Sequence, residues 1–181
     1  LDTAELTGTW TLDPGHTRIG FATRHAMVTK VRGAFNDVTG EIVVDGEDPE
    51  ASTATVIVQM ASIDTRNAQR DDHLRSADFF DVETHPEMTF TSTRIEEVDE
   101  DAYMVTGDLT IRDTTRSVGI PLRLIGIDTD PFGNVRAGFE GTRRLDRREW
   151  GITWNTPLDS GGLLVSDKIQ LEFELSLIKQ A

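Results

Sequence analysis

Along most of the chain apolar and polar residues alternate with a period of two, and the alternation assigns faces. Ile19, Phe21 and Thr23 share one side, opposite Arg18, Gly20, Ala22 and Arg24. Ala54, Val56, Val58 and Met60 oppose Thr53, Thr55, Ile57 and Gln59. Tyr103, Val105, Leu109 and Ile111 form a third stripe, with Gly107 permitting a bend on its apolar side. Val118, Ile120, Leu122 and Leu124 form the next, then Val135, Ala137, Phe139 and Gly141. The last is the longest, running through Leu163, Val165, Ile169, Leu171, Phe173, Leu175 and Leu177. One-sided alternation predicts antiparallel strands with a single buried face. Over residues 31–44 the phase slips. Val31, Gly33 and Phe35 are odd, whereas Val38, Gly40, Ile42 and Val44 are even, which predicts a bulge or sharp bend near Asn36-Asp37.

Residues 70–92 break the pattern. Asn67 or Thr65 can cap a short helix, and Leu74, Ala77 and Phe80 fall at helical spacing on one face. Pro86 lacks a donor and stops any helix, after which Met88, Phe90 and Ser92 alternate as a strand should. So short a helix is unstable alone; it must lie across a larger body and plug it with Phe79 or Phe80. The whole chain, residues 1–181, therefore reads as one all-β domain: an antiparallel barrel of about eight strands in meander order, with one short helical insertion. An interior of that size either fills with side chains or holds one small ligand.

Composition narrows the partners. Net charge is −14, from 18 basic and 32 acidic residues. That balance repels phosphate backbones and argues against nucleic acid. It also disfavours anionic lipid surfaces, although a local basic patch can override the average. The acidic run at residues 96–101 reads as an exposed hairpin tip. There is no cysteine, hence no disulfide or thiolate chemistry. No apolar stretch approaches the roughly 18 residues of a transmembrane segment. No signal peptide is visible, so the expected location is cytoplasmic, with a leader removed before Leu1 left open. A homodimer is also left open.

Little in the sequence points to catalysis. No metal-binding spacing, nucleophile elbow or phosphate-binding glycine loop is present, so the expectation is a protein with no cofactor, no metal and no catalytic residue. Asp71 and Asp72 are adjacent, and on a helix they would point about 100° apart rather than cooperate. His16 sits in a proline-glycine turn and is expected to make a structural hydrogen bond. His73 is expected to anchor the helix by side-chain pairing, and His85 carries a weaker signal still. The polar residues on inward parity are His25, Arg143, Arg94 and Asp167, the candidates for contact with the polar part of anything held inside. Equally, they could meet solvent or one another at strand ends.

Several motifs together resemble the YceI-like family of lipocalin-like barrels associated with polyisoprenoid and quinone-type lipids. They are Trp10-Thr11-Leu12-Asp13-Pro14-Gly15-His16-Thr17 with Phe21 and His25, Gly33-Ala34-Phe35 with Gly40, and Ser62-Ile63-Asp64-Thr65. The most specific is Arg70-Asp71-Asp72-His73-Leu74-Arg75-Ser76 leading into Asp78-Phe79-Phe80-Asp81, with Pro86 and Phe90. Gly107-Asp108-Leu109-Thr110-Ile111 and Gly151-Ile152 complete it. The chain departs at Asp113-Thr114-Thr115-Arg116-Ser117, where the family usually has a glycine-threonine-lysine-proline turn, and at Asp146 and Trp150, where asparagine and phenylalanine are common.

Periodicity alone describes an ordinary packed core as well as it describes a tunnel. The resemblance favours the tunnel, with an isoprenoid lipid (polyprenyl or isoprenoid quinone) bound, sequestered or carried without a chemical step. Its walls would be Phe21, Phe35, Val56, Phe90, Val105, Leu122, Phe139, Leu171 and Phe173. The alternatives are an enzyme acting on a lipid or quinone inside the barrel, and a stress-response interaction protein with a packed core.

Overall fold

The stripes pair with one another in nearly the order in which they follow along the chain. The computed structural model describes residues 3–181; Leu1, where the question of a leader arises, lies outside them. The strands are β1 (Gly8–Leu12), β2 (Arg18–His25), β3 (Thr29–Phe35), β4 (Val38–Val44), β5 (Thr53–Gln59) and β6 (Ile63–Asp64). They continue as β7 (Glu87–Asp99), β8 (Ala102–Ile111), β9 (Thr114–Thr129), β10 (Val135–Asp146) and β11 (Lys168–Lys179). The α-helix α1 (Ala68–Arg75) interrupts the series before β7. Antiparallel ladders join β1-β4-β5-β7-β8-β9-β10-β11, and β11 pairs back onto β1. Closure leaves these eight strands without an edge. The barrel read from the sequence is the barrel observed.

The remaining strands are continuations. Leu12 faces Leu177 and Ile19 faces Phe173 along one edge of β11, so β1 and β2 are halves of a single strand broken at residues 13–17. The expected break at Asn36-Asp37 separates β3 from β4 and restores the inward phase at Val38, which is buried. A 3-10 turn at Met60–Ser62 likewise parts β5 from β6. Arg136 holds the first break. Its guanidinium donates to Asp13 at 2.7 Å and to Asp130 at 2.7 Å, tying the bend to the β9–β10 hairpin. Both carboxyls are held below the usual range, chiefly by that guanidinium, and Asp130 falls to about 2.

Close approaches need glycine in the wall at Gly107 and Gly141, among other positions. A Cβ on Gly107 would lie 2.5 Å from the Phe90 ring, and one on Gly141 would lie 2.1 Å from the Pro121 carbonyl oxygen. The β9–β10 ladder stops at Glu140 and Arg123, immediately short of Pro121, which has no N–H to donate.

Two elements differ from the sequence reading. The last strand begins at Lys168, and Leu163 and Val165 belong to the preceding loop, touching Pro157 and His25 through isolated bridges. That loop is diverted by Arg147, whose guanidinium donates to the carbonyls of Ile152, Trp154, Val165 and Ser166. Secondly, α1 ends at Arg75. Asn67 caps its start by accepting from the Arg70 amide, and Ser76 closes its end on the His73 carbonyl. Ala77 is exposed, and Phe80 reaches Leu74 through a tight turn rather than along a helical face.

Candidate ligand-binding site

The inward stripes enclose one cavity of about 270 Å³. It is close to the lower end of the roughly 300–1,000 Å³ typical of small-molecule sites. Ile169, Leu171, Phe173, Leu175 and Leu177, successive inward residues of β11, all line it. At about 3.3 Å per residue and a strand tilt near 40°, that run covers roughly 20 Å of the barrel axis. Every wall residue read from the alternation lines this cavity: Phe21, Phe35, Val56, Phe90, Val105, Leu122, Phe139, Leu171 and Phe173.

At one end α1 and the turn after it form a plug. Phe79 is buried, Phe80 packs edge-on to Phe35, and Leu74, Phe79 and Phe80 all line the cavity. The residues of the helix motif hold the plug in place. Buried Asp71 accepts from both the amide and the hydroxyl of Thr65, while Asp72 is exposed and pairs with Arg75. Arg75 donates to the carbonyls of Ala61 and Ile63, and Arg70 to the hydroxyl and carbonyl of Thr65. His73 pairs with Asp78 at 2.9 Å and packs edge-on against Phe79 and Trp154. Arg147 lies under this cluster, 7% exposed, with its guanidinium over the Phe79 ring. Trp150 donates to the Leu109 carbonyl.

The opposite end is closed by a 3-10 turn at Thr3–Leu6. Trp10, fully buried, donates its indole N–H to the Leu6 carbonyl at 2.8 Å, and both residues line the cavity. There the lining also takes in Asp45, Gly46 and Pro49, of which Asp45 is exposed. Neither Leu6 nor Trp10 was recognisable as wall, because Leu6 lies in a 3-10 turn and β1 is only five residues long, too short to show a period.

The polar candidates stand away from the cavity, each for a local reason. A register shift between Ser92 and Arg94 flips the phase of β7, so Ile95 faces inward and Arg94 outward, paired with Glu50 and Glu96. Arg143 keeps inward parity opposite Leu171 but lies beyond the end of the β9–β10 ladder and is exposed. His25 is exposed at the end of β2, and Asp167 precedes β11 with its carboxylate toward Arg147 and Arg148. His16 makes the expected structural bond, to Asp13 at 2.7 Å.

Two buried hydroxyls do line the cavity. Tyr103 Oη and Thr23 Oγ1 are buried in residues that line the cavity, and neither has a hydrogen-bond partner among the described residues. Tyr103 is 7% exposed, near the Trp10 end and edge-on to Phe139; Thr23 lies toward the helix end. Burial, followed by the charges of Glu97 and Asp101, pushes the Tyr103 phenol up to about 12, so at neutral pH it is a donor. A tyrosine on an otherwise aliphatic inward stripe was the available sequence signal. Among the described residues no group of His, Asp and Glu side chains is placed to hold a metal, and no helix is long and apolar enough to cross a membrane.

A family model described as the YceI-like domain matches residues 10–177. The chain belongs to the YceI-like family. A UPF0312 protein of Pectobacterium atrosepticum is 40% identical over 138 residues, 76% of this chain and 71% of that protein. Among solved structures, the Campylobacter jejuni YceI protein superposes with a TM-score of 0.74 at 27% identity, covering 87% of this chain and 90% of that one. A polyisoprenoid-binding domain from Saccharophagus degradans, implicated in plant cell wall breakdown, superposes with a TM-score of 0.72 at 14% identity, over 94% and 98% of the two chains. At that identity the likeness shows the YceI barrel fold.

Proposed function

We propose that this YceI-like barrel binds a long-chain isoprenoid lipid in its cavity, as a sequestering or carrying protein without a chemical step. One observation carries the reading: a cavity along the barrel axis, walled mainly by apolar side chains, where the buried hydroxyls without a hydrogen-bond partner among the described residues are those of Tyr103 and Thr23. Each CH2 removed from water contributes about 0.8 kcal/mol, so about twenty carbons contribute roughly 16 kcal/mol gross. Association and chain ordering cost about 4–15 kcal/mol. The difference, roughly 1–12 kcal/mol, favours binding on burial alone. The binding domain from Saccharophagus supports the ligand class by its shared fold.

The ionisable side chains of the lining favour binding over catalysis. Arg147 is committed to backbone carbonyls, Asp45 lies at the rim, and the Tyr103 phenol titrates far above neutrality. The head group is assigned to a single acceptor oxygen, a quinone carbonyl or prenol hydroxyl, on Tyr103. Organic extraction of purified protein followed by mass spectrometry tests the class; an isoprenoid near one per chain is expected, and its absence overturns the reading. Tyr103→Phe tests the head group. It should weaken a prenol or quinone by up to about tenfold and leave a hydrocarbon of equal length unchanged.

A further inference from the structure

One wall of this acidic chain is basic. At the helix end of the barrel, on the outer faces of β2, β3, β10 and β11, Arg24, Lys30, Arg144 and Lys168 surround a groove with Thr23, Ser166 and Gln170. Arg24 and Lys30 are cross-strand partners, and Arg32 follows on the same face of β3. Carboxylates beside this wall are paired: Asp146 with Arg148 and Lys168, Asp167 with Arg147 and Arg148, and Glu172 with Arg18. Asp72 and Asp78 belong to α1 and the turn after it, whereas the exposed Asp159 sits on the loop that brings Gly162 against Met27.

The β2–β3 hairpin projects beside the groove, and its tip is apolar. Met27 is 62% and Val28 76% exposed, and Leu163 on the neighbouring loop is 40% exposed. The tip is built against local preference. Ala26 and Met27 occupy left-handed backbone, with φ of 52° and 67°, where a two-residue turn of this kind favours Asn-Gly. The tip is also tied to the 162–166 loop: the Ala26 amide donates to the Leu164 carbonyl and the Ser166 amide to the Arg24 carbonyl. Exposed apolar side chains with a basic collar are what a bilayer of anionic lipids complements, the collar meeting headgroups and the tip the acyl boundary.

We infer that this hairpin tip and basic groove form a docking surface for an anionic lipid bilayer. The surface lies where β2 and β11 part after Ala22 and Gln170, and Thr23 lines both the outer groove and the inner cavity. Docking therefore brings the barrel wall at Thr23 to headgroup level. The inference stands whether or not the cavity holds an isoprenoid.

Vesicle co-sedimentation of the purified protein tests it, with phosphatidylcholine–phosphatidylglycerol vesicles against phosphatidylcholine alone. Wild type should bind the mixed vesicles at low salt and release as ionic strength rises. Arg24→Glu/Lys30→Glu should lower that partitioning at least about twenty-fold, at roughly a factor of five for each basic side chain. Val28→Asp should weaken it without touching the collar. Arg94→Glu/Arg123→Glu changes net charge equally but away from this wall, and should bind as wild type does. Equal binding to both vesicle types, or equal loss in the two charge-reversal variants, would overturn the inference. So would complete competition by inorganic phosphate at matched ionic strength, which marks a small-anion site instead.

Discussion

The two ends of this barrel are closed by different chemistry. At the helix end, charged side chains hold backbone carbonyls: Arg70 and Arg75 stitch α1 to residues 61–65, and Arg147 holds residues 152–166. At the other end the closure is mainly apolar, with Leu6 and Trp10 joined by one indole bond. The adjoining loop is held by hydroxyls that accept from amides, Thr7 from Gly46 and Ser52 from Asp45, and by the Asp45 carboxylate, which accepts from the Glu47 and Asp48 amides. A guanidinium that satisfies several buried carbonyls fixes one arrangement, because any other leaves them unpaired. Apolar closure is tolerant of displacement. On these contacts the helix end is the more firmly held floor, and the end at Leu6, Trp10 and the loop beside Asp45 the more yielding.

The largest expected effect is at the floor. Arg147→Met strips partners from four carbonyls and should destabilise the protein by about 3–5 kcal/mol in chemical denaturation. Trp10→Phe removes one hydrogen bond and part of a buried ring, and about 1–2 kcal/mol is expected. Equal losses would erase the distinction between the ends.

That asymmetry was partly legible beforehand. The run from Arg70 to Ser76 announced a helix that had to plug something, and the strict alternation of β11 announced the wall it closes. The barrel could be read because period-two burial is a property of each strand by itself. The polar contacts could not, because each depended on where a ladder bulges or ends. One extra residue beside Thr93 turned Arg94 outward, and Pro121 ended the ladder before it covered Arg143. The Leu6–Trp10 closure was invisible for a related reason: a 3-10 turn and a five-residue strand carry too few positions to show a period.

Acid sharpens the comparison at the yielding end. The Asp13–Arg136–Asp130 cluster joins the break in the first strand to the β9–β10 hairpin. Both carboxyls have folded pKa values below their unfolded ones. Their contribution is therefore complete above the ordinary carboxylate value of ~3.9 and is lost as pH falls through their lowered folded values, that of Asp130 being about 2. Asp130→Asn should flatten stability against pH across that window, read from melting temperature at closely spaced pH values; an unchanged profile would remove the cluster from the account. The smallest effect is expected at Tyr103. Its hydroxyl has no partner among the described residues, so Tyr103→Phe should leave the empty protein within about 0.5 kcal/mol of wild type. A clear loss of stability would mean that the hydroxyl is structural.

Native mass spectrometry of wild type beside a cavity-filled variant, Val105→Phe/Leu122→Phe, tests the central claim most directly. Both substitutions add rings to mid-strand wall positions of the cavity. Wild type should carry the added mass of an isoprenoid, and the filled variant should fly at its bare chain mass while keeping its β-sheet circular dichroism. Bare wild type, or the same adduct on both proteins, would contradict a ligand-filled barrel.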